Sequence, residues 1–195
     1  MSKKRKQIIR AASEEFLQKG LDAASMHHIA ERAEVSKRTL YKYFPNKDVL
    51  YNSLIDALLE DLHDMYEFEY IPGSPMKEQL ERVVESRIEH ITSEDFLNIS
   101  RIVIGELVKS RKPSKEQSKK LYYFESLFVE WVEAAKRDGQ ITSNLESEVI
   151  AEQFHSIVKG QIFFPALFRS VEVTSSNIRE IRDQTVAFFL NAYCR

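Results

Sequence analysis

Cysteine is nearly missing from this chain: the one residue, Cys194, stands next to the C-terminus. A single thiol forms no intramolecular disulfide and no thiolate metal cluster, which fits a reducing compartment. Glycine and proline are scarce too, five of each in 195 residues, too few for a chain of many short strands and tight turns. No apolar run approaches bilayer-spanning length. The basic N-terminus leads through Ile8-Ile9 into Arg10 and Glu14-Glu15 rather than into a signal-peptide core. A cytoplasmic protein without a membrane partner is therefore expected. Nor is there a serine nucleophile elbow or a phosphate loop.

What is present is helical periodicity. Ile8, Ile9, Ala12 and Phe16 form an apolar stripe over residues 3–19, and Gly20 is placed to stop that helix. Short helices follow near 26–33 and 37–43. Pro45-Asn46 breaks the chain, and Asn46 caps a long helix of about 47–68 with Leu50, Leu54, Ile55, Leu58, Leu59, Leu62 and Tyr66 on a stripe too wide for one partner. Ile71-Pro72-Gly73-Ser74-Pro75 reads as a loop. Helices are then expected near 76–91, 94–110, 115–138, 146–168 and 176–193, with Gly139 ending the third of these. Pro165 removes a donor and crowds the carbonyl of Gln161, so a kink or break is expected there. The fold class is all-α, with about nine helices.

Charge is unevenly spread. Residues 1–47 carry a net charge of +6 and residues 48–195 a net of −8. A basic head on an acidic body is the pattern of a DNA-binding module joined to a separate effector or assembly domain, although a solvated basic helix face has the same composition.

The stretch from Ser25 to Lys47 gives that head a plan. Ser25 and Ser36 are natural N-caps of two short helices. A two-turn helix is unstable alone and must dock on neighbours. In the second, Leu40 and Phe44 at i and i+4 supply the docking face, while Lys37, Arg38, Thr39, Tyr41, Lys42 and Tyr43 are left for other work. This is the plan of a helix-turn-helix, whose second helix is offered to the major groove of double-stranded DNA.

With Gly20, Ser25, Ile29-Ala30, Ala33-Glu34-Val35-Ser36, Leu40-Tyr41, Phe44, Lys47 and Leu50 at these spacings, residues 5–54 resemble the N-terminal DNA-binding domain of the TetR family of bacterial transcription regulators. Two positions depart from the family's pattern. Ala24 stands where a Thr is frequent, and Glu34 where the turn usually has Gly. A left-handed conformation at Glu34 costs roughly 1–2 kcal/mol. The segment Ala151–Gly160 is similar to AefR-type C-terminal domains.

The resemblance implies two domains, residues 1–46 for DNA binding and 47–195 for ligand binding and dimerisation. Lys47, at the start of the long helix, is expected on phosphate with that helix's own N–H groups. Ser25, Ser36, Tyr41, Lys42 and Tyr43 are expected on the DNA backbone or beside it. Lys37, Arg38 and Thr39 are placed to enter the groove, Arg38 as the side chain able to pair bidentately with guanine. His27 and His28 are further candidates for backbone contact, or are plain surface residues. Ile29, Leu40, Phe44 and Phe16 are core.

In the body the resemblance implies an apolar or aromatic small-molecule effector held among Phe96, Val103, Phe124, Phe128, Phe154 and Phe164, oriented by Arg101, Glu106, His155 or Gln161. It also implies a homodimer through the last two helices, matching a palindromic operator, and repression rather than activation. Ligand is expected to shift the helix that begins at Asn46 and so to change the spacing of the two recognition helices. No cofactor and no resident metal is expected. A competing enzyme reading is a di-metal carboxylate bundle using Glu60-x-x-His63 and Glu152-x-x-His155, with Glu85, Glu89 or Glu106 as further ligands. It leaves the basic head and the 25–47 pattern unexplained.

Overall fold

The computed structural model describes residues 3–66, 68–109, 112–170 and 173–194, with the backbone alone for 64–66. Among these the helices are α1 (Lys3–Ala23), α2 (Met26–Arg32), α3 (Lys37–Tyr43), α4 (Lys47–Tyr66), α5 (Met76–Thr92), α6 (Glu94–Val108), α7 (Lys115–Arg137), α8 (Ser147–Val158), α9 (Phe164–Leu167) and α10 (Ser175–Tyr193). A π turn at Lys159–Phe163 joins α8 to α9 in one run, so the described residues form nine helical rods. No strand is present among them beyond one isolated bridge, Ile141 to Cys194. The expected Tyr66 side chain and the expected helix end at 110 lie outside the described residues, and α4 ends at Tyr66, short of the expected 68.

Local chemistry explains most boundaries. Gly20 takes φ 75° and interrupts α1, so the last turn of that helix is reset. Asn46 accepts the Val49 N–H at 2.9 Å and caps α4. Ser114 caps α7 through the Gln117 N–H at 3.1 Å. Gly139 ends α7 at φ 75°. Thr174 and Asn177 close a reciprocal capping box on α10.

The chain forms two compact units that do not follow chain order: residues 1–60 with 94–118, and residues 61–93 with 119–195. In the first, Ile8, Phe16, Ile29, Leu40, Phe44, Leu50 and Leu54 make the core, and α6 packs on α1. The Gln117 side-chain amide donates to the Asn52 carbonyl (3.3 Å) and to Asp56 (3.2 Å), tying the start of α7 to α4. Arg5 folds inward, over the Phe44 ring at 5.5 Å and onto Ser53 Oγ at 3.2 Å, rather than standing out with its lysine neighbours. The expected head, residues 1–46, lies wholly within this unit.

In the second unit α10 runs along α5 and touches α8. Leu80, Val84, Ile88, Phe128, Trp131, Val132, Ile150, Phe154, Val186 and Phe189 are buried there. Phe128 stacks on Trp131 (5.4 Å) and Phe154 (4.6 Å), and Phe154 meets Phe189 edge-on at 5.8 Å. The loop before α5 is tied to the end of α7, because Asp138 accepts from Tyr70 Oη (2.6 Å) and the Gly73 N–H (3.0 Å). Burial and the Asp138 carboxylate push the Tyr70 hydroxyl up to about 12. Where a kink or break is expected at Pro165, the helix makes a π turn just before it. Since Pro165 has no N–H for the Gln161 carbonyl, the turn before it widens by one residue and the run continues.

Candidate nucleic-acid interface and effector site

In the first unit, α3 shows two faces. Leu40 and Phe44 are buried, while Lys37, Arg38, Tyr41, Lys42 and Tyr43 are exposed, Tyr41 by 49 %. Thr39 is half-buried, and its hydroxyl lies 2.8 Å from Ser36 Oγ. Ser36 also accepts the Thr39 N–H at 3.1 Å, and Ser25 accepts the His27 N–H at 3.2 Å. Both serines therefore hold helix starts. His27 is exposed and pairs with Glu31 one turn on, at 3.3 Å.

The turn between α2 and α3 is a Schellman closure. Ala33 ends α2, Glu34 sits at φ 51°, the Glu34 N–H reaches the Glu31 carbonyl (3.0 Å) and the Val35 N–H reaches the Ala30 carbonyl (3.0 Å). The left-handed residue expected at Glu34 is thus present, with its side chain exposed. Lys47 is half-buried, and its Nζ donates to the Asp22 carbonyl at 2.5 Å. A phosphate contact from Lys47 has to replace or share that bond.

Glu15 is the residue that the sequence did not signal. It is 1 % exposed, accepts the Ser25 N–H at 3.4 Å, and faces His28 Nδ1 (3.4 Å) and Arg32 (3.6 Å). Arg32 also reaches Glu14 and Gln18. One buried carboxylate on α1 thereby fixes the start and the face of α2.

The expected effector residues divide between the units. Phe96, Arg101, Val103 and Glu106 lie on α6 in the first unit, where Phe96, Val103 and Glu106 are buried, Arg101 bonds Asn98 (2.9 Å) and Glu106 bonds Lys109 (2.9 Å). Phe124, Phe128, Phe154, His155, Gln161 and Phe164 lie in the second. There Phe128, Phe154 and His155 are brought together, and the Phe124 ring lies tilted against His63 at 5.5 Å. Gln161 accepts from the Thr185 hydroxyl (3.1 Å). Phe164 is exposed and stacks on Phe168 instead.

Arg87, on α5, was not anticipated. Its guanidinium lies 4.3 Å from the centre of the Phe128 ring and 4.9 Å from that of Phe154. Burial, helped by the Arg87 and Lys159 charges, pushes the His155 imidazole down to about 2, so it is neutral. A cation beside His155 is the wrong neighbour for a metal ligand. Among the described residues no group of three or more His, Cys, Asp or Glu is placed to hold a metal ion, and the di-metal reading finds no donor set.

Residues 8–54 match the model of bacterial regulatory proteins of the tetR family, and residues 78–195 match the C-terminal domain of AefR-like transcriptional repressors. The chain belongs to the TetR family. It is a DNA-binding transcription regulator, and members of this family are not enzymes. Similar TetR-type proteins include the HTH-type regulator YdeS of Bacillus subtilis strain 168, 28 % identical over 183 residues, covering 90 % of this chain and 84 % of that one. A TetR family regulator from Pseudomonas syringae pv. tomato DC3000 superposes with TM-score 0.76 at 29 % identity, over 100 % of this chain and 98 % of that one. The flavonoid-responsive regulator FrrA superposes with TM-score 0.66 at 27 % identity, over 98 % and 97 %. No helix among the described residues is long and apolar enough to cross a membrane.

Proposed function

We propose that this TetR regulator is a cytoplasmic homodimeric repressor that binds a palindromic operator and is released by a small, mostly apolar or aromatic effector. The observation that carries the reading is α3: two turns of helix with Leu40 and Phe44 turned into the core and five basic or phenolic side chains turned out. In this reading Lys37, Arg38 and Thr39 meet base edges. Ser25, His27, Ser36, Tyr41, Lys42, Tyr43 and Lys47 position the head on the backbone. The domains are then 1–46 for DNA and 47–195 for effector and assembly.

Dimerisation through the last two helices is supported by apolar side chains left exposed on them: Val149 on α8, Phe164 on α9 and Phe188 on α10. A two-fold dimer suits an operator of two related half-sites. Repression is supported by the AefR-like repressor model matched over residues 78–195, and an aromatic effector by the flavonoid response of FrrA. Release requires an effector that prefers the state in which the two recognition helices no longer fit successive major-groove turns. Helix α4 belongs to the first unit through Glu60 and to the second from Asp61, and is the element proposed to carry that change.

Selection of bound sequences from a random DNA pool tests the reading. An enriched palindrome, located upstream of a gene whose transcript rises on deletion of the regulator, is the expected result. Enrichment of no palindrome would overturn the dimer-operator proposal, and a transcript that falls would overturn repression.

A further inference from the structure

The opening of α1 carries Lys3, Lys4, Arg5 and Lys6, and no acid occurs in the chain before Glu14. That is the reverse of the sign a helix start favours, because the macrodipole is positive there and like charges within a turn repel. Lys3, Lys4 and Lys6 are exposed and enter no ion pair among the described residues. The next cations along the head differ: Arg10 pairs with Glu14 at 3.7 Å, and Arg32 reaches Glu14 and Glu15. The three lysines are therefore a concentration of uncompensated charge that costs the fold stability while nothing binds it.

Their place is fixed by Arg5, the one member of the cluster that turns inward. Its guanidinium lies 5.5 Å from the centre of the Phe44 ring and donates to Ser53 Oγ at 3.2 Å, on the second turn of α4. Phe44 is the C-cap of α3, and its ring is 6.4 Å from that of Tyr43, on the exposed face of the recognition helix. The start of α1 is thus fastened beside the end of α3, within one unit. The exposed basic and phenolic surface of α3, which ends in Lys42 and Tyr43, continues onto Lys3, Lys4 and Lys6.

We propose that Lys3, Lys4 and Lys6 form a second phosphate-binding patch, which holds the DNA backbone beside the groove that α3 enters. The proposal rests on the reading of α3 as the recognition helix of a dimer. Such contacts add affinity on every sequence and discriminate no base. Phosphate also neutralises the repulsion within the turn, so that bound DNA stabilises the start of α1.

The test uses the full-length protein on its selected operator. One variant combines Lys3→Gln, Lys4→Gln and Lys6→Gln, and a control makes the same change at three exposed lysines of α7, Lys115, Lys119 and Lys120. Affinity is measured over a salt series, and phosphate ethylation interference locates the phosphates that matter. Each lysine on phosphate contributes about 0.9 to the slope of log affinity against log salt, so the head variant should lower the dimer's slope by about 2 to 5. It should also lose interference at phosphates that parent and control retain, and melt no lower than the parent. A fall in slope of less than about 1, an equal fall in the control, or an unchanged set of interfering phosphates would each overturn the proposal. If the combined variant does not fold, the single substitutions decide: at least one should lower the slope by about 2, and three unchanged slopes refute the patch. A parent that selects an operator, with a head variant that keeps the parent slope, refutes the patch and leaves the α3 reading standing. A parent that selects no DNA overturns both.

Discussion

Oε1 of Glu15 lies 3.4 Å from Nδ1 of His28, and the same oxygen accepts the Ser25 backbone N–H. Helix α2 is thus docked on α1 through a carboxylate that is itself buried. Replacing Glu15 by Ala leaves the Ser25 N–H without that acceptor and costs about 1–3 kcal/mol. A fall in melting temperature of several degrees is expected, with operator affinity reduced on every sequence alike. Glu15→Gln, which keeps an acceptor, should lose less. Thermal denaturation and DNA titration of both variants check this, and an unchanged melt in Glu15→Ala would refute it.

Glu34 occupies a position at φ 51° that a glycine adopts without steric cost. Glu34→Gly is expected to stabilise the protein by about 1 kcal/mol and, by removing an exposed acid beside the recognition helix, to tighten operator binding at low salt. Denaturant unfolding measures the first and a salt series the second.

Arg38 and Lys47 should fail differently. Arg38→Ala is expected to cost about 1–3 kcal/mol at particular operator positions and little on non-specific DNA. Lys47→Ala should weaken binding to all sequences and lower the salt slope by about one. Because Lys47 also holds the Asp22 carbonyl, its removal should lower the melting temperature slightly, whereas Arg38→Ala should not. Affinity against a panel of operator variants at two salt concentrations separates them.

His155 makes stability depend on pH. Its folded pKa of about 2 lies below the ordinary 6.5, so below about 6.5 the unfolded chain takes up a proton that the folded one refuses. The contribution is fully present above 6.5 and is lost as pH falls, by about 2 kcal/mol on reaching roughly pH 5. His155→Gln should flatten that part of the profile. Unfolding free energies measured across this range test it, and an equal slope in parent and variant would rule it out.

Phe188 is 49 % exposed on α10, packed edge-on against Tyr193 at 6.3 Å. In the proposed two-fold interface a charge placed there meets desolvation, and Phe188→Glu should yield a monomer that no longer binds operator tightly. Sedimentation gives the result. A dimer that persists would place the interface elsewhere.

Much of this was legible from local chemistry. Ser25, Ser36, Asn46 and Gly139 each act within a few residues of themselves, so the helix ends they set were found almost to the residue, whereas α1 resumes past the stop expected at Gly20 and runs to Ala23. Glu15 and Arg87 were not, because a charged residue on a helix reads as a solvated face, and the groups that enclose Arg87 come from α7 and α8, far along the chain. Phe96 and Val103 were rightly read as apolar helix residues, yet their stripe carries no record of which helix it meets. Pro165 announced an irregularity. Whether it became a kink or a π turn depended on the neighbours packed around it.

The grouping of α6 with α1 has a practical meaning for anyone who wishes to move this head onto another protein. Residues 94–118 close the unit that residues 1–60 begin. A fragment cut after Glu60 would carry the whole helix-turn-helix and still leave bare the side of α1 on which α6 lies. The reading head is contiguous as text but not as an object. A graft that transfers its specificity has to bring a second, later piece of the chain with it.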